Sequence, residues 1–188
     1  MRTTITPRRL VLALLALVAS VLAMGSPAAA ATTHHHVSSV IDGQAMALQQ
    51  GKVVMVAPNK TRFDQQWQLF DIRSDGTFMM KNRAGLDACL SLDPTNTGPD
   101  ISVVKVVGCA GTNDVNKRWR LNLAGGLEGD VRDFIRNAAT GQRLARFYLC
   151  FGGPCGPEQP ALLGDAFATS LISQGYSITN FTWRVRQI

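Results

Sequence analysis

Residues 64–69 read Asp-Gln-Gln-Trp-Gln-Leu, and the same spacing recurs as "NKRWRL" at 116–121 and "NFTWRV" at 180–185. In each copy a tryptophan lies three residues after an acid or amide and two before an aliphatic residue. A large aromatic followed by a polar and then an apolar residue is the period-two pattern of a half-buried strand. We therefore predict three equivalent strands that carry the core residues Trp67, Trp119 and Trp183.

A second motif precedes each tryptophan. It appears as "GQAMAL" at 43–48, as "NRAG" leading into "CLSL" at 82–92, and as "NAATGQRL" at 137–144. Two motifs that recur in the same order three times indicate an internal repeat. The chain is therefore divided into three homologous units, at about residues 37–70, 71–122 and 123–188.

Short strand-like runs occur along the whole of this region, among them "GKVVMVAP" and "ISVVKVVGC". Turn clusters such as "PTNTGPD" and "AGGLEGD" separate them. Many short strands without a sustained helical period predict an all-β barrel or sandwich, and the repeats decide between these two. Only residues 161–172 have a composition compatible with a helix, and we do not expect one there.

The first 31 residues have the three parts of a secretory signal peptide. Three arginines are followed by an uncharged run at 10–24 and then by "GSPAAAA". We expect cleavage near Ala30 or Ala31, and the apolar run is too short to span a membrane. Cleavage would remove three arginines and no acids, so the formal charge falls from +6 to +3. We expect a secreted protein without a membrane span, and a charge this small argues against nucleic acid as a partner.

The four cysteines of an exported chain predict two disulfides, for which the sequence allows three connectivities. The sequence contains no CxxC pair, which would have indicated a metal site. The three histidines, His34 to His36, follow the predicted cleavage site, so we expect residues 32–36 to form a disordered tail that holds no metal. Because no histidine occurs beyond this tail, catalysis by a histidine base is excluded from the folded body, and we expect no cofactor.

The middle unit carries a family resemblance. "KNRAGLDACLSLD" at 81–93 and "SVVKVVGCAGTNDVNKRW" at 102–119 resemble the ricin B-type lectins and their QxW repeats. The domains of that family are β-trefoils, three units of four strands around a pseudo-threefold axis. The resemblance implies this fold for residues 37–188. It also implies a Cys89–Cys109 disulfide, which leaves Cys150 and Cys155 for each other.

A sugar site of that family combines three parts. A carboxylate follows Cys-Leu, an aromatic lies two residues before the second cysteine, and an Asn-Gln pair precedes the tryptophan. In the middle unit these positions hold Ser91, Val107 and Asn116-Lys117, and the carboxylate position of the outer units holds Ala47 or Ala145. The resemblance therefore implies altered sites. The polar contacts that remain are Asp64, Gln65, Asp93, Asn116 and Asn180.

From these features we expect a carbohydrate- or glycoconjugate-binding module whose partner is a glycan or glycoprotein. The alternative is a trefoil that binds a protein, such as a protease inhibitor or the binding subunit of a toxin, through the predicted disulfide loop at 149–160. Acids such as Asp130 and Asp133 could serve a glycosidase. They lie in a stretch typical of a solvated turn, so we predict that the protein is not an enzyme.

Overall fold

The computed structural model describes residues 32–121, 129–147 and 159–188, which contain thirteen strands and one α-helix. The helix, α1, is Asp165–Ser173, and 3-10 turns occupy Phe63–Gln65, Val115–Lys117 and Ile178–Phe181. The strands are β1 His35–Ser39, β2 Ala45–Gln49, β3 Lys52–Val56, β4 Gln66–Phe70, β5 Met79–Asn82, β6 Cys89–Thr97, β7 Ile101–Val107, β8 Trp119–Leu121, β9 Asp130–Asp133, β10 Ile135–Asn137, β11 Arg143–Phe147, β12 Gln159–Leu163 and β13 Trp183–Gln187.

The strands form three antiparallel hairpins and a ring. The hairpins are β2–β3, β6–β7 and β11–β12, and the last two are joined because β12 also pairs with β7. In the ring, β1 pairs with β4 and β13, β4 pairs with β5, β8 pairs with β10, and β9 pairs with β13. A bridge between Phe78 and Trp119 links the start of β5 to β8. Three hairpins on a ring of strands are a β-trefoil, so the predicted all-β fold is confirmed.

Equivalent hydrogen bonds in the three units show the pseudo-threefold symmetry directly. The indole Nε1 of Trp67, Trp119 and Trp183 donates to the carbonyls of Met46, Leu90 and Leu144, at 2.9, 3.0 and 2.7 Å. The residue before each tryptophan accepts a backbone hydrogen bond from the following unit, the pairs being Gln66 with Arg83, Arg118 with Ala138, and Thr182 with Val40. The three QxW-like motifs therefore occupy equivalent places in the fold.

All three tryptophans are fully buried, as predicted. They pack in one hydrophobic cluster with apolar residues from every unit, including Val37, Met46, Leu90 and Leu144. Burial of so large an aromatic side chain stabilises the fold by a few kcal/mol. The glycine of the second motif also has a structural reason, because Gly43 and Gly141 hold equivalent turns at φ +72° and +71°, where other residues are strained.

The expectation that residues 161–172 form no helix is wrong. Strand β12 ends at Leu163, Gly164 has an extended backbone, and α1 begins at Asp165. The helix buries Ala168 and Leu171, which lie three residues apart on one face, in a second apolar cluster with Phe181 and Leu163. This small amphipathic stripe stabilises a helix that propensity alone did not predict.

The prediction that residues 32–36 form a disordered tail is also wrong for the last two of these residues. His35 and His36 begin β1, and each is only 4% exposed. Strand β1 pairs with both β13 and β4, so the ring of strands includes these histidines. Pairing on both edges supplies the backbone hydrogen bonds that make burial of this polar segment tolerable.

The Cys89–Cys109 disulfide is present and confirms the pairing that the resemblance implied. The predicted signal peptide at 1–31 and the Cys150–Cys155 pair lie outside the described residues. Among those that are described, no helix is long and apolar enough to cross a membrane, and no group of histidine, cysteine or acidic residues is arranged to hold a metal ion.

Candidate functional site

The trefoil brings two segments of each unit together at its surface. One is the end of the second strand, and the other is the 3-10 turn that precedes the tryptophan strand. In the first unit, β2 ends at Gln49 and the turn carries Asp64. The Gln49 Nε2 donates to Asp64 Oδ2 at 3.4 Å, across 15 residues of sequence. The hairpin and the turn therefore form one polar surface.

Arg62 holds the Asp64 carboxylate in a two-point contact. Its Nε donates to Oδ1 at 3.0 Å and its Nη2 donates to Oδ2 at 2.6 Å. The side chain of Asp64 is 14% exposed and that of Arg62 is 51% exposed. Two aligned charge-assisted bonds fix the orientation of both groups, while the remaining guanidinium N–H groups stay available to solvent. We call Gln49, Arg62 and Asp64 the first-unit cluster.

Gln65, predicted as a sugar contact, serves the scaffold instead. Its side chain is fully buried, and its Oε1 accepts hydrogen bonds from the Asn59 backbone at 2.6 Å and from the ring of His36 at 3.2 Å. Its Nε2 donates to the Ala57 carbonyl at 3.1 Å. The amide therefore ties the loop between β3 and β4 to β1, and a ligand cannot reach it.

In the middle unit, Asp93 lies on β6 and is joined to Lys105 of β7. The Lys105 Nζ and both the backbone and hydroxyl of Thr95 donate to its Oδ1. These bonds, the one from Lys105 above all, hold the pKa of Asp93 below its ordinary value, so its carboxylate is charged at neutral pH. Asn116 lies half-buried in the turn Val115–Lys117, which packs against β6. The structure therefore places Asp93 and Asn116 on neighbouring elements.

The family's carboxylate position lies in the interior in all three units. Ala47, Ser91 and Ala145 are at most 3% exposed. The polar side chains lie two residues further along the strands, at Gln49 and Asp93, which share a strand face with that position and are less buried because the hairpin leaves the core there. The altered sequence therefore moves the polar group along the strand.

Sequence reasoning missed three residues beside this cluster. Gln49 and Arg62 are described above, and the third is Phe63, whose side chain is 54% exposed directly before Asp64. The Arg83 guanidinium lies over the Phe63 ring, 3.9 Å from its centroid. The sequence did contain a signal for Phe63. An aromatic four residues before a core tryptophan lies in the turn that precedes the strand, where its side chain can be exposed. The family position for an aromatic platform holds Val107 in the middle unit, which is half-buried, and Met55, near that position in the first unit, is buried.

In the third unit, Asn180 belongs to the turn Ile178–Phe181, which occupies the place of the two other 3-10 turns. Its side chain lies outside what the structure describes. The role of Asn180 stays a prediction.

No protein-family model matches the chain, and no curated protein matches its sequence. Solved structures match its fold. The designed threefold-symmetric protein ThreeFoil has a TM-score of 0.58 at 17% identity, covering 82% of this chain and 99% of its own. A ricin B-like lectin from Macrolepiota procera, in complex with lactose, has a TM-score of 0.51 at 15% identity, covering 85% and 98%. The Polyporus squamosus lectin, bound to the epitope Neu5Aca2-6Galb1-4GlcNAc, has a TM-score of 0.54 at 14% identity, covering 81% and 48%. At these identities the similarity establishes the β-trefoil fold.

Proposed function

We propose that this protein is a secreted glycan-binding module whose principal saccharide site is the first-unit cluster. The observation that carries the proposal is the contact between Gln49 of the hairpin and Asp64 of the turn, which Arg62 reinforces. The fold similarity to lectins whose structures contain lactose or a sialylated epitope adds support.

The chemistry of this cluster suits vicinal hydroxyl groups. Each sugar hydroxyl both donates and accepts one or more hydrogen bonds, so a site needs acceptors and donors side by side. Asp64 supplies carboxylate lone pairs, and Arg62, half-exposed, supplies N–H groups that its ion pair does not use. Charge-assisted bonds of this kind fix the orientation of a ligand. The exposed ring of Phe63 offers apolar area on which a sugar ring can stack.

We assign a second, weaker saccharide site to Asp93 and Asn116 of the middle unit. The three hydrogen bonds that Asp93 makes with the described part of the chain all end on Oδ1. Its Oδ2 is therefore the acceptor that a hydroxyl would use. This site lacks an aromatic platform, because the position that would hold one is Val107.

The test is a glycan array probed with the wild-type protein and with Asp64→Asn, which keeps the size of the side chain and removes its charge. The matched control is Asp100→Asn, which removes the charge of an exposed aspartate directly before β7. We expect Asp64→Asn to weaken binding at least about tenfold, because a hydrogen bond to a charged group contributes about 1.5–3 kcal/mol. Asp100→Asn should bind as the wild type does.

Two outcomes would refute the proposed site or function. An empty array at millimolar sensitivity refutes glycan binding. The variant Asp93→Asn tests the second site in the same way. If Asp64→Asn and Asp93→Asn both bind with wild-type affinity, both proposed sites are refuted. Thermal unfolding of every variant shows that the proteins compared are folded.

The secretion that we propose has its own test. N-terminal sequencing of protein collected from the culture medium should begin at Ala31 or Thr32, because the sequence predicts cleavage after Ala30 or Ala31. Retention of the whole chain in the cells would contradict it.

A further inference from the structure

A cleft of about 350 Å³ lies between β1, β13 and the loop that joins β3 to β4. Its lining does not include Gln49, Arg62 or Asp64. It does include four cationic side chains from distant parts of the sequence, namely Lys60, Arg132, Arg184 and Arg186. We call these four residues the cationic cleft.

Strand register explains why the arginines meet. Arg184 on β13 lies directly opposite Arg132 on β9, and Arg186 lies opposite His36 on β1. Residues opposite each other in an antiparallel pair point to the same face of the sheet, about 4.5–5.5 Å apart at Cβ, and like charges there are destabilising. The chain therefore places two arginines where their repulsion opposes folding.

Carboxylates compensate this charge only in part. Asp130 accepts hydrogen bonds from Arg184, with Nε to Oδ1 at 2.7 Å, and the same carboxylate lies opposite Arg186. Within the described residues, Lys60, Arg132 and Arg186 form no ion pair. Asp42, beside the lining residue Gly43, is bound by Arg146. Asp130, which Arg184 already binds, is thus the one carboxylate of the described residues that these contacts place against the four cations.

The equivalent clefts of the other units differ in charge balance. Arg184 follows a core tryptophan, and the residues in the same place after Trp67 and Trp119 are Gln68 and Arg120. The cleft at Gln68 measures about 190 Å³. The cleft at Arg120 measures about 660 Å³ and contains Arg136, but Asp165 pairs there with Arg136 at 3.0 Å. Among the described clefts, the one at Arg184 has the largest excess of positive charge.

We propose that the cationic cleft binds a sulfate or carboxylate group carried by a saccharide, an inference that rests on the proposed glycan-binding function. An anion bound by Arg132 and Arg186, which form no ion pair with a described residue, would offset the repulsion among the arginines with charge-assisted hydrogen bonds. The planar guanidinium matches the oxygens of such groups. The size of the cleft lies within the range of small-molecule sites, about 300–1,000 Å³.

The experiment measures dissociation constants of the full chain for fluorescently labelled oligosaccharides by polarisation. The probes are a heparin tetrasaccharide, which carries sulfates and carboxylates, a hyaluronan tetrasaccharide, which carries carboxylates alone, and a neutral chitin tetrasaccharide. We expect at least one anionic probe to bind at least about tenfold more tightly than the neutral probe, since bonds to charged groups are the strong ones. The ratio of the two anionic probes identifies whether sulfate or carboxylate is preferred.

Two cleft variants are compared with the wild type. One is the double variant Arg132→Gln with Arg186→Gln, and the other is the single variant Lys60→Gln on the opposite wall. The matched control is Arg120→Gln with Lys52→Gln, which removes the same charge at exposed positions elsewhere. The cleft variants should lose about tenfold or more in affinity for the anionic probe. The control should stay within about twofold, because charges beyond the Debye length, about 8–10 Å, are largely screened at 0.1–0.15 M salt.

Four outcomes would overturn the inference. The first is equal affinity for the neutral and the anionic probes. The second is an equal loss of affinity in the cleft variants and the control, and the third is unchanged affinity in both cleft variants. The fourth is equally tight binding of a DNA duplex, which would indicate a surface for any polyanion. Binding of a neutral glycan that Asp64→Asn abolishes, without any anionic preference, refutes the cleft and leaves the proposed function standing. If no saccharide binds, both fail.

Discussion

The Cys89–Cys109 disulfide closes the hairpin β6–β7, and its removal gives a stability change that can be worked out from the structure. The bridged residues are 20 apart in sequence. In the chain-entropy model a closed loop of that length removes about 11 cal/mol/K from the unfolded state, or about 3 kcal/mol at 25 °C. The double variant Cys89→Ala with Cys109→Ala should lose this amount. Alanine is preferred to serine because Cys89 is fully buried, and a hydroxyl there would add its own burial cost.

The assay is urea unfolding followed by tryptophan fluorescence, with the wild type and the double variant compared under oxidising conditions. The midpoint should fall, and the denaturant slope should rise modestly, because an unfolded chain without the cross-link exposes more surface. A loss of less than about 1 kcal/mol would refute the reasoning, since it would mean that the unfolded chain does not gain the freedom that the model assigns.

The other predictions concern the core and pH. Replacement of Trp67, Trp119 or Trp183 by phenylalanine leaves one buried carbonyl unpaired, so each variant should lose about 1–3 kcal/mol in urea unfolding. A variant that loses nothing would contradict the equivalence of the three hydrogen bonds. Burial lowers the pKa of His36 below its ordinary value of 6.5, so the unfolded chain takes up this proton first as the pH falls. As the pH decreases from about 6.5 to the folded-state pKa, the free energy of unfolding should decrease by at most about 1.4 kcal/mol per pH unit. His36→Gln should reduce this slope, and a slope equal to that of the wild type would contradict the assignment.

The parts of the fold that the sequence predicts are those with a local or repeated pattern. Each tryptophan lies on a strand whose period-two pattern marks the buried face, and three copies in one order point to threefold symmetry. The Cys89–Cys109 pair followed from the family resemblance. These features are visible in the sequence because the residues that define them lie within one repeat.

The features that sequence reasoning misassigned depend on contacts between distant segments. In the sequence alone, His36 looks like part of a tail. In the fold, β1 closes the ring of strands, and Gln65, 29 residues away, accepts a hydrogen bond from the His36 ring nitrogen. By the same contact Gln65, which resembles a surface amide, becomes fully buried. Local pattern does not distinguish an amide that binds a ligand from one that satisfies a buried partner.

The candidate sites show the same division. Asp64 and Asp93 were predicted, because acids at fixed distances from a tryptophan or cysteine can be recognised in the sequence. Arg62 and Gln49 were missed, since only the folded hairpin brings the Gln49 amide to Asp64. The cationic cleft has no local signature, because its arginines meet through the register of β13 with β9.

The most direct test of the central claim is a chemical-shift titration of the isotope-labelled protein with the saccharide that binds most tightly on the array. We expect the largest changes at the backbone amides of Arg62 and Asp64 and at the side-chain amide of Gln49, with smaller changes at Asp93 and Asn116. Changes confined to residues outside both clusters, or none at saturating saccharide, would contradict glycan recognition by these surfaces of the trefoil.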